Sequence, residues 1–324
     1  MDRLENQAEA EINGLAEQIF SSKVVQVNHS SRDTVVLSLV NSLKKNANKV
    51  VAQKLIFRSG VSVDSLEQLR ETLPLCPNTT ELEFCCLPSI EALLGALHCA
   101  QTPFVKSLSL KSLAPWNRQN RGNQNVIADA IVSAVVLPDD IYDNNCNARV
   151  LTSLEIVNYP VGAQGAHILA NAMKENTSLK VLRLQDCDLR SDCAAHIASM
   201  IRYNHSLEVL DLSYNRHYLG SPITREMTTK TLVKKGLRYN TTLLELQMHG
   251  ETNINRKQVD LHLSMNRLKK KYQSDKVDPL SIPPSAWPLL LAKVSAKPNI
   301  LHLFAQEGLV AMLPFLCCSK EDSW

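Results

Sequence analysis

With 324 residues, 44% apolar and 21% charged, the chain has the make-up of a folded globular protein, long enough for one large domain or two ordinary ones. A chain of this size buries about 75% of its unfolded surface, so it needs no disulfide framework. Its formal charge of +3 is too small to imply a nucleic-acid partner.

The nine cysteines include the adjacent pairs Cys85-Cys86 and Cys317-Cys318 but no C-x-x-C, which argues against a zinc ribbon or a redox motif. Reduced thiols in a reducing compartment fit this pattern. The opening Met1-Asp2-Arg3-Leu4-Glu5-Asn6 is polar, and no apolar run approaches the ~20 residues of a membrane span. The expectation is a soluble, cytoplasmic chain with no membrane partner. The basic run Arg267 to Lys271 leaves a nuclear location open, although cations at a helix C-terminus are also favoured by the helix dipole.

Residues 2–20 carry Leu4, Ala8, Ile12, Leu15, Ala16 and Ile19 at helical spacing. Val24 to Val27 reads as a strand. Asp33 to Lys44 reads as a helix, with Val36, Leu37, Val40 and Leu43 on one face. From there a pattern recurs, clearest in Leu179-Lys180-Val181-Leu182-Arg183-Leu184-Gln185-Asp186-Cys187 and Leu207-Glu208-Val209-Leu210-Asp211-Leu212-Ser213-Tyr214-Asn215.

Aligning the fourth and sixth positions of Leu-x-x-Leu-x-Leu gives eight units. They are anchored at Val25/Val27, Leu55/Phe57, Leu82/Phe84, Leu108/Leu110, Leu154/Ile156, Leu182/Leu184, Leu210/Leu212 and Leu246/Met248. The steps are 30, 27, 26, 46, 28, 28 and 36 residues. The intervening helices keep the same register: Ala166, Leu169, Ala170 and Met173 reappear 28 positions on as Ala194, Ile197, Ala198 and Ile201.

The step of 46 marks an insertion, about 114–148, with an apolar helix from Val126 to Leu137 between two polar loops. The step of 36 hides a smaller loop, Arg216 to Thr224. Lys257 to Lys271 reads as a helix, followed by a Pro-rich linker, Lys276 to Pro284, and a tail holding Trp287 and Phe304.

These spacings resemble the leucine-rich repeat, whose unit is one strand and one helix. The length, the true helices and the Cys or Asn at the ninth position resemble the ribonuclease-inhibitor-like class. The resemblance implies an α/β solenoid (horseshoe) with a parallel β-sheet on the concave face and α-helices on the convex face, helical caps at both ends. One unit cannot close a core alone, so neighbours must share it. The implied organisation is a capping helix at 1–21, repeats over 22–256 and a helical C-terminal cap and tail over 257–324. Cys187 and Asn215, where the chain leaves its strand, turn inward: Asn to bond the turn's backbone, Cys because it tolerates burial.

The odd positions of each strand face away from the helices. The fifth positions run Gln26, Ile56, Glu83, Ser109, Glu155, Arg183, Asp211 and Gln247. Strands ~4.8 Å apart should set Glu155, Arg183 and Asp211 in an acid–base–acid row. Flanking positions add Lys54, Arg58, Glu81, Lys111, Ser153, Gln185, Ser213, Glu245 and His249. This mixed polar surface is either a solvated face or the docking site of a protein partner, as leucine-rich solenoids commonly use it.

No G-x-S-x-G, H-E-x-x-H, Walker or G-x-G-x-x-G spacing occurs, so no catalytic residue and no cofactor is expected. Cys187, Cys193 and His196 lack a fourth ligand, so no metal is expected. The five Asn-x-Ser/Thr sites (Asn28, Asn78, Asn176, Asn204, Asn240) read as turn residues rather than glycosylation acceptors. The expectation is a monomeric, non-enzymatic protein-interaction module. The resemblance leaves two alternatives: a ribonuclease-inhibitor-like role, and a regulator resembling the Ran GTPase activator. That activator's long acidic C-terminal run is replaced here by Cys317-Cys318-Ser319-Lys320-Glu321-Asp322-Ser323-Trp324.

Overall fold

A computed structural model describes residues 2–28, 33–58, 60–87, 89–99, 102, 104–112, 124–135, 151–215, 228–248 and 253–274. The inserted loops, the Arg216 to Thr224 loop, the Pro-rich linker, Trp287, Phe304 and His249 lie outside the described residues. The strands are β1 (Val24–Val27), β2 (Lys54–Phe57), β3 (Glu81–Cys85), β4 (Ser107–Lys111), β5 (Ser153–Val157), β6 (Val181–Gln185), β7 (Val209–Asp211) and β8 (Glu245–Gln247). They form one parallel sheet in sequence order, β1 to β8.

Helices alternate with them: α1 (Asp2–Ser21), α2 (Asp33–Lys45), α3 (Val63–Thr72), α4 (Ile90–Cys99), α5 (Gln124–Val135), α6 (Gly162–Glu175) and α7 (Ala194–Tyr203). A π-helical segment, Leu232–Leu237, takes the next helical place, and α8 (Asn253–Ser274) follows the last strand. α8 starts ahead of the Lys257 expected from apolar spacing alone. Each helix packs on the next, and α8 packs on the π-helical segment and β8.

The register is the one the leucines dictate. Val25, Leu55, Leu82, Leu108, Leu154, Leu182, Leu210 and Leu246 pair side by side across all eight strands. Every member of this row is buried, as is the sixth-position row from Val27 to Met248. Phe57 and Phe84 stack within that row, with ring centroids 5.0 Å apart. Burying one leucine contributes about 2 kcal/mol, and the whole apolar set forms one continuous cluster from α1 to α8. The π-helical segment fits because Gly236 has no Cβ: one there would come 3.0 Å from the Ala198 carbonyl oxygen on α7.

A second set of contacts ties the units together at the helix-to-strand turns. Asn176 Oδ1 accepts from the backbone N–H of Leu179 (2.8 Å), Asn204 Oδ1 from Leu207 (2.7 Å) and Asn240 Oδ1 from Leu243 (2.7 Å). The Nδ2 groups of Asn204 and Asn240 then donate backwards. Asn204 bonds the Met173 and Asn176 carbonyls at 2.6 and 3.0 Å. Asn240 bonds those of Ile201 and Asn204 at 2.6 and 3.2 Å. Asn266 of α8 ends the series on the Leu243 carbonyl at 2.7 Å. Stacking buries the carbonyls that end each helix, and the next unit's asparagine satisfies them. The amide nitrogens of Asn204 and Asn240 are thereby engaged inside the fold.

The strand exits repeat as well. Cys86, Asn158 and Asp186 follow β3, β5 and β6 with φ of 62°, 62° and 52°. Their backbone N–H groups donate to the carbonyls of Lys111, Gln185 and Ser213. Asn and Asp tolerate this left-handed turn. At the ninth position, Asn215 Oδ1 accepts from the N–H of Cys187 (2.7 Å) and Leu189 (3.2 Å), while its Nδ2 donates to the Leu184 and Leu212 carbonyls. The Cys187 thiol donates to the Ile156 carbonyl at 3.4 Å. Inward-turned Cys and Asn therefore do what their chemistry suggested.

Asn204→Ala strands the buried N–H groups of Ser206 and Leu207 and the Met173 carbonyl, and is expected to lower unfolding free energy by about 3 kcal/mol. Urea denaturation measures this. Asn171→Ala, on the exposed face of α6, should cost less than about 0.5 kcal/mol.

Candidate functional site

The sheet face turned away from the apolar core gathers most of the polar residues picked out from the sequence. Lys54 pairs in register with Glu81, and Glu83 lies between Ile56 and Ser109. Glu83 is the hub. Its two carboxylate oxygens take Lys54 Nζ at 2.9 Å and Lys111 Nζ at 3.2 Å. Lys111 also reaches Glu155 at 3.4 Å, and Ser109 Oγ donates to Glu155 at 2.7 Å. Five residues from β2, β3, β4 and β5 thus form one chain of contacts.

Burial raises the Glu83 pKa, but hydrogen bonds from Lys54 and Lys111 and their charges outweigh it, so the carboxyl sits below its ordinary value. Lys111 shows the converse: burial alone would lower it, and the facing Glu155 and Glu83 hold it above its ordinary value. The face is less open than alternation implied. Glu83, Ser109 and Asp211 are buried, and Ile56 adds an apolar side chain among them. Side chains on strands so closely spaced cover one another laterally.

The acid–base–acid row is present as register but not as ion pairs. Glu155, Arg183 and Asp211 do lie side by side in register. No ion pair joins them among the described residues. Ser109 and Lys111 already hold Glu155. Asp211 accepts from the Ser213 backbone N–H at 2.8 Å and from Gln185 Nε2. Arg183 is left half-buried, its charge flanked rather than bonded among the described residues.

At the last strand, Gln247 Nε2 donates to Glu245. Glu81 is exposed and stands apart from the network. Arg58, just past β2, has a buried Nε without a hydrogen-bond partner among the described residues.

The remaining clusters have structural explanations. Cys193 Sγ accepts from the Arg190 backbone N–H, and burial pushes the Cys187 and Cys193 thiols up to about 12. His196 faces His167 instead, with their Nδ1 atoms 3.1 Å apart. Among the described residues no three His, Cys, Asp or Glu side chains converge as metal ligands, and no helix is long and apolar enough to cross a membrane.

No protein-family model matches the sequence, and no curated protein matches it. Among solved structures the chain is similar to "Leiomodin-1 Actin-Binding Site 2 (ABS2)" at 15% identity and a TM-score of 0.20, covering 82% of this chain and 96% of that one. A TM-score so low leaves the fold to be argued from the chain's own register.

The lowered Glu83 pKa contributes stability that is present above the ordinary value of 4.5 and lost as pH falls through the lowered one. Glu83→Gln should therefore flatten the acid limb of a stability-against-pH curve. Glu81→Gln, outside the network, should leave that limb unchanged.

Proposed function

We propose that this chain is a leucine-rich-repeat solenoid of the ribonuclease-inhibitor-like class, a horseshoe with α1 and α8 shielding its ends. In this reading it is a non-enzymatic module that binds a protein through the polar face of its sheet. The repeat reading is supported by the eight-strand register, the ninth-position Cys and Asn, and the steps of 28 residues. The binding reading rests chiefly on one observation: the Lys54–Glu83–Lys111–Glu155 network holds charged groups in fixed places on a rigid sheet.

Such a surface selects by pattern. Its lysines and acids are already paired, so a partner gains little from raw charge and must match donors and acceptors in place. Among the described residues the groups that remain to be bonded are Arg183 and Glu81, and these are where a partner's side chains are expected to land. Asp211 is a poor probe of the idea, because reversing its charge would also break the buried Ser213 bond and damage the fold.

The test uses photo-crosslinking residues at 183 and 81, with the exposed α3 position 67 as control. The expected result is a discrete partner set from the two sheet positions, absent from position 67. Its yield should fall at least about tenfold when Lys54→Glu is added, because the reversal breaks the Glu83 pairing that fixes the pattern of the face. Equal labelling from all three positions would remove the binding proposal while leaving the fold intact.

A further inference from the structure

We propose that the edge of the sheet where the strands begin is a second docking surface, and that its occupant is an anionic phospholipid membrane bearing phosphatidylserine. All strands run the same way and all connecting helices run back, so every helix ends at this edge. Five of the seven exposed large apolar side chains among the described residues stand here. Val24 opens β1, Val51 precedes β2, Leu75 precedes β3, Tyr203 ends α7 and Tyr239 follows the π-helical segment. Each is between 43% and 50% exposed.

Cations accompany them. Arg202 lies over both tyrosine rings, 5.2 Å from the Tyr203 centroid and 4.3 Å from that of Tyr239. Lys174 and Arg238 flank the pair at 5.7 and 5.9 Å. Helix dipoles account for some of this charge, since Lys44, Lys45, Arg70 and Arg202 occupy last turns.

Dipoles do not account for Lys23, Lys106 and Lys180. Each immediately precedes a strand, in one line, its carbonyl accepting from the N–H groups that open the next strand. Nor do dipoles account for the exposed apolar tips. The acid in that line, Glu208, is neutralised by Lys270 Nζ at 2.6 Å, which brings the basic end of α8 to the same edge. Of the other acids here, Glu71 lies 4.0 Å from Lys44, Glu175 is exposed, Glu81 opens β3 exposed in the row of Val24, and Glu245 opens β8 bonded by Gln247.

The spread of these groups argues for a plane rather than a segment in a groove. Seven strand steps of ~4.8 Å put the apolar tips along roughly 34 Å of edge. A flat anionic surface can engage all of them at once. Tyrosines with an apolar body and a polar tip suit the headgroup depth, and each Lys or Arg near such a surface contributes about 1 kcal/mol. The expectation of no membrane partner rested on spanning segments alone, which a peripheral contact does not need.

The full chain is tested by co-sedimentation with phosphatidylcholine vesicles, with and without phosphatidylserine. The expected result is binding only with phosphatidylserine, released by added salt. Lys180→Glu with Arg202→Glu should lower the partition coefficient by more than about tenfold. Tyr203→Ser with Tyr239→Ser should lower it several-fold while keeping the salt dependence. Circular dichroism shows that each variant is folded.

Equal binding to both vesicle types would overturn the proposal, as would folded charge variants that bind like the parent. Capture of the chain by soluble polyglutamate without binding to phosphatidylserine vesicles would overturn it too, assigning the edge to an acidic protein.

Discussion

No strand–helix pair in this chain can cover its own apolar side, and the structure follows from that shortage. A leucine such as Leu182 is shielded from water only because Leu154 and Leu210 stand on either side and a helix lies behind each. Stability of this kind is carried between neighbours, and it falls off wherever the row ends. The row is met by α1 at one end and α8 at the other, with Leu15 and Ile19 contributed by the first and Val259 and Leu263 by the second.

Sharing a core creates a second demand. Packing the units closely buries the carbonyls that finish each helix, where water can no longer reach them. The asparagines answer it because one amide both accepts from its own turn and donates to the unit before. Hydrophobic stacking alone would tolerate small slips along the strand direction, whereas hydrogen bonds of 2.6 to 3.2 Å do not. The leucines supply most of the free energy and the asparagines fix the alignment. Asn266 lies outside any strand-forming unit, yet it continues the same bonding onto Leu243.

The same division separates what was legible in the sequence from what was not. Burial alternates with a period of two along a strand, so spacing alone identified the fourth and sixth positions, and their neighbours across the sheet followed by counting. The asparagine turns were legible because Asn before Leu-x-x-Leu recurs at the same step.

Pairing across the polar face was not legible. Adjacency set Arg183 between two acids, but adjacency does not decide which lone pairs are already taken. The Ser213 backbone N–H and the Gln185 amide claim Asp211, and Ser109 with the long Lys111 side chain claims Glu155. Lys111 reaches acids on two different strands, a diagonal contact that a position-by-position reading does not show. The lateral shielding of Glu83 and Asp211 was hidden for the same reason: it depends on neighbouring side-chain lengths.

Charge on the face and charge on the edge obey different rules. On the face, lysines and carboxylates are compensated within a few ångströms, so their field dies away quickly and their worth lies in position. At the edge, helices aligned side by side present their negative ends together, and the cations gathered there answer to that field. Once the dipoles are met, the three lysines ahead of the strands remain as a surplus. Such a surplus acts beyond contact range and weakens with ionic strength, since screening at physiological salt sets in over about 8 Å. The face is insensitive to salt by comparison, because its partners touch. In the proposed reading the edge therefore governs where the molecule gathers and the face what it selects there. The two meet at the first residue of each strand, where Val24 stands in register with Lys54 and Glu81, and part from there on.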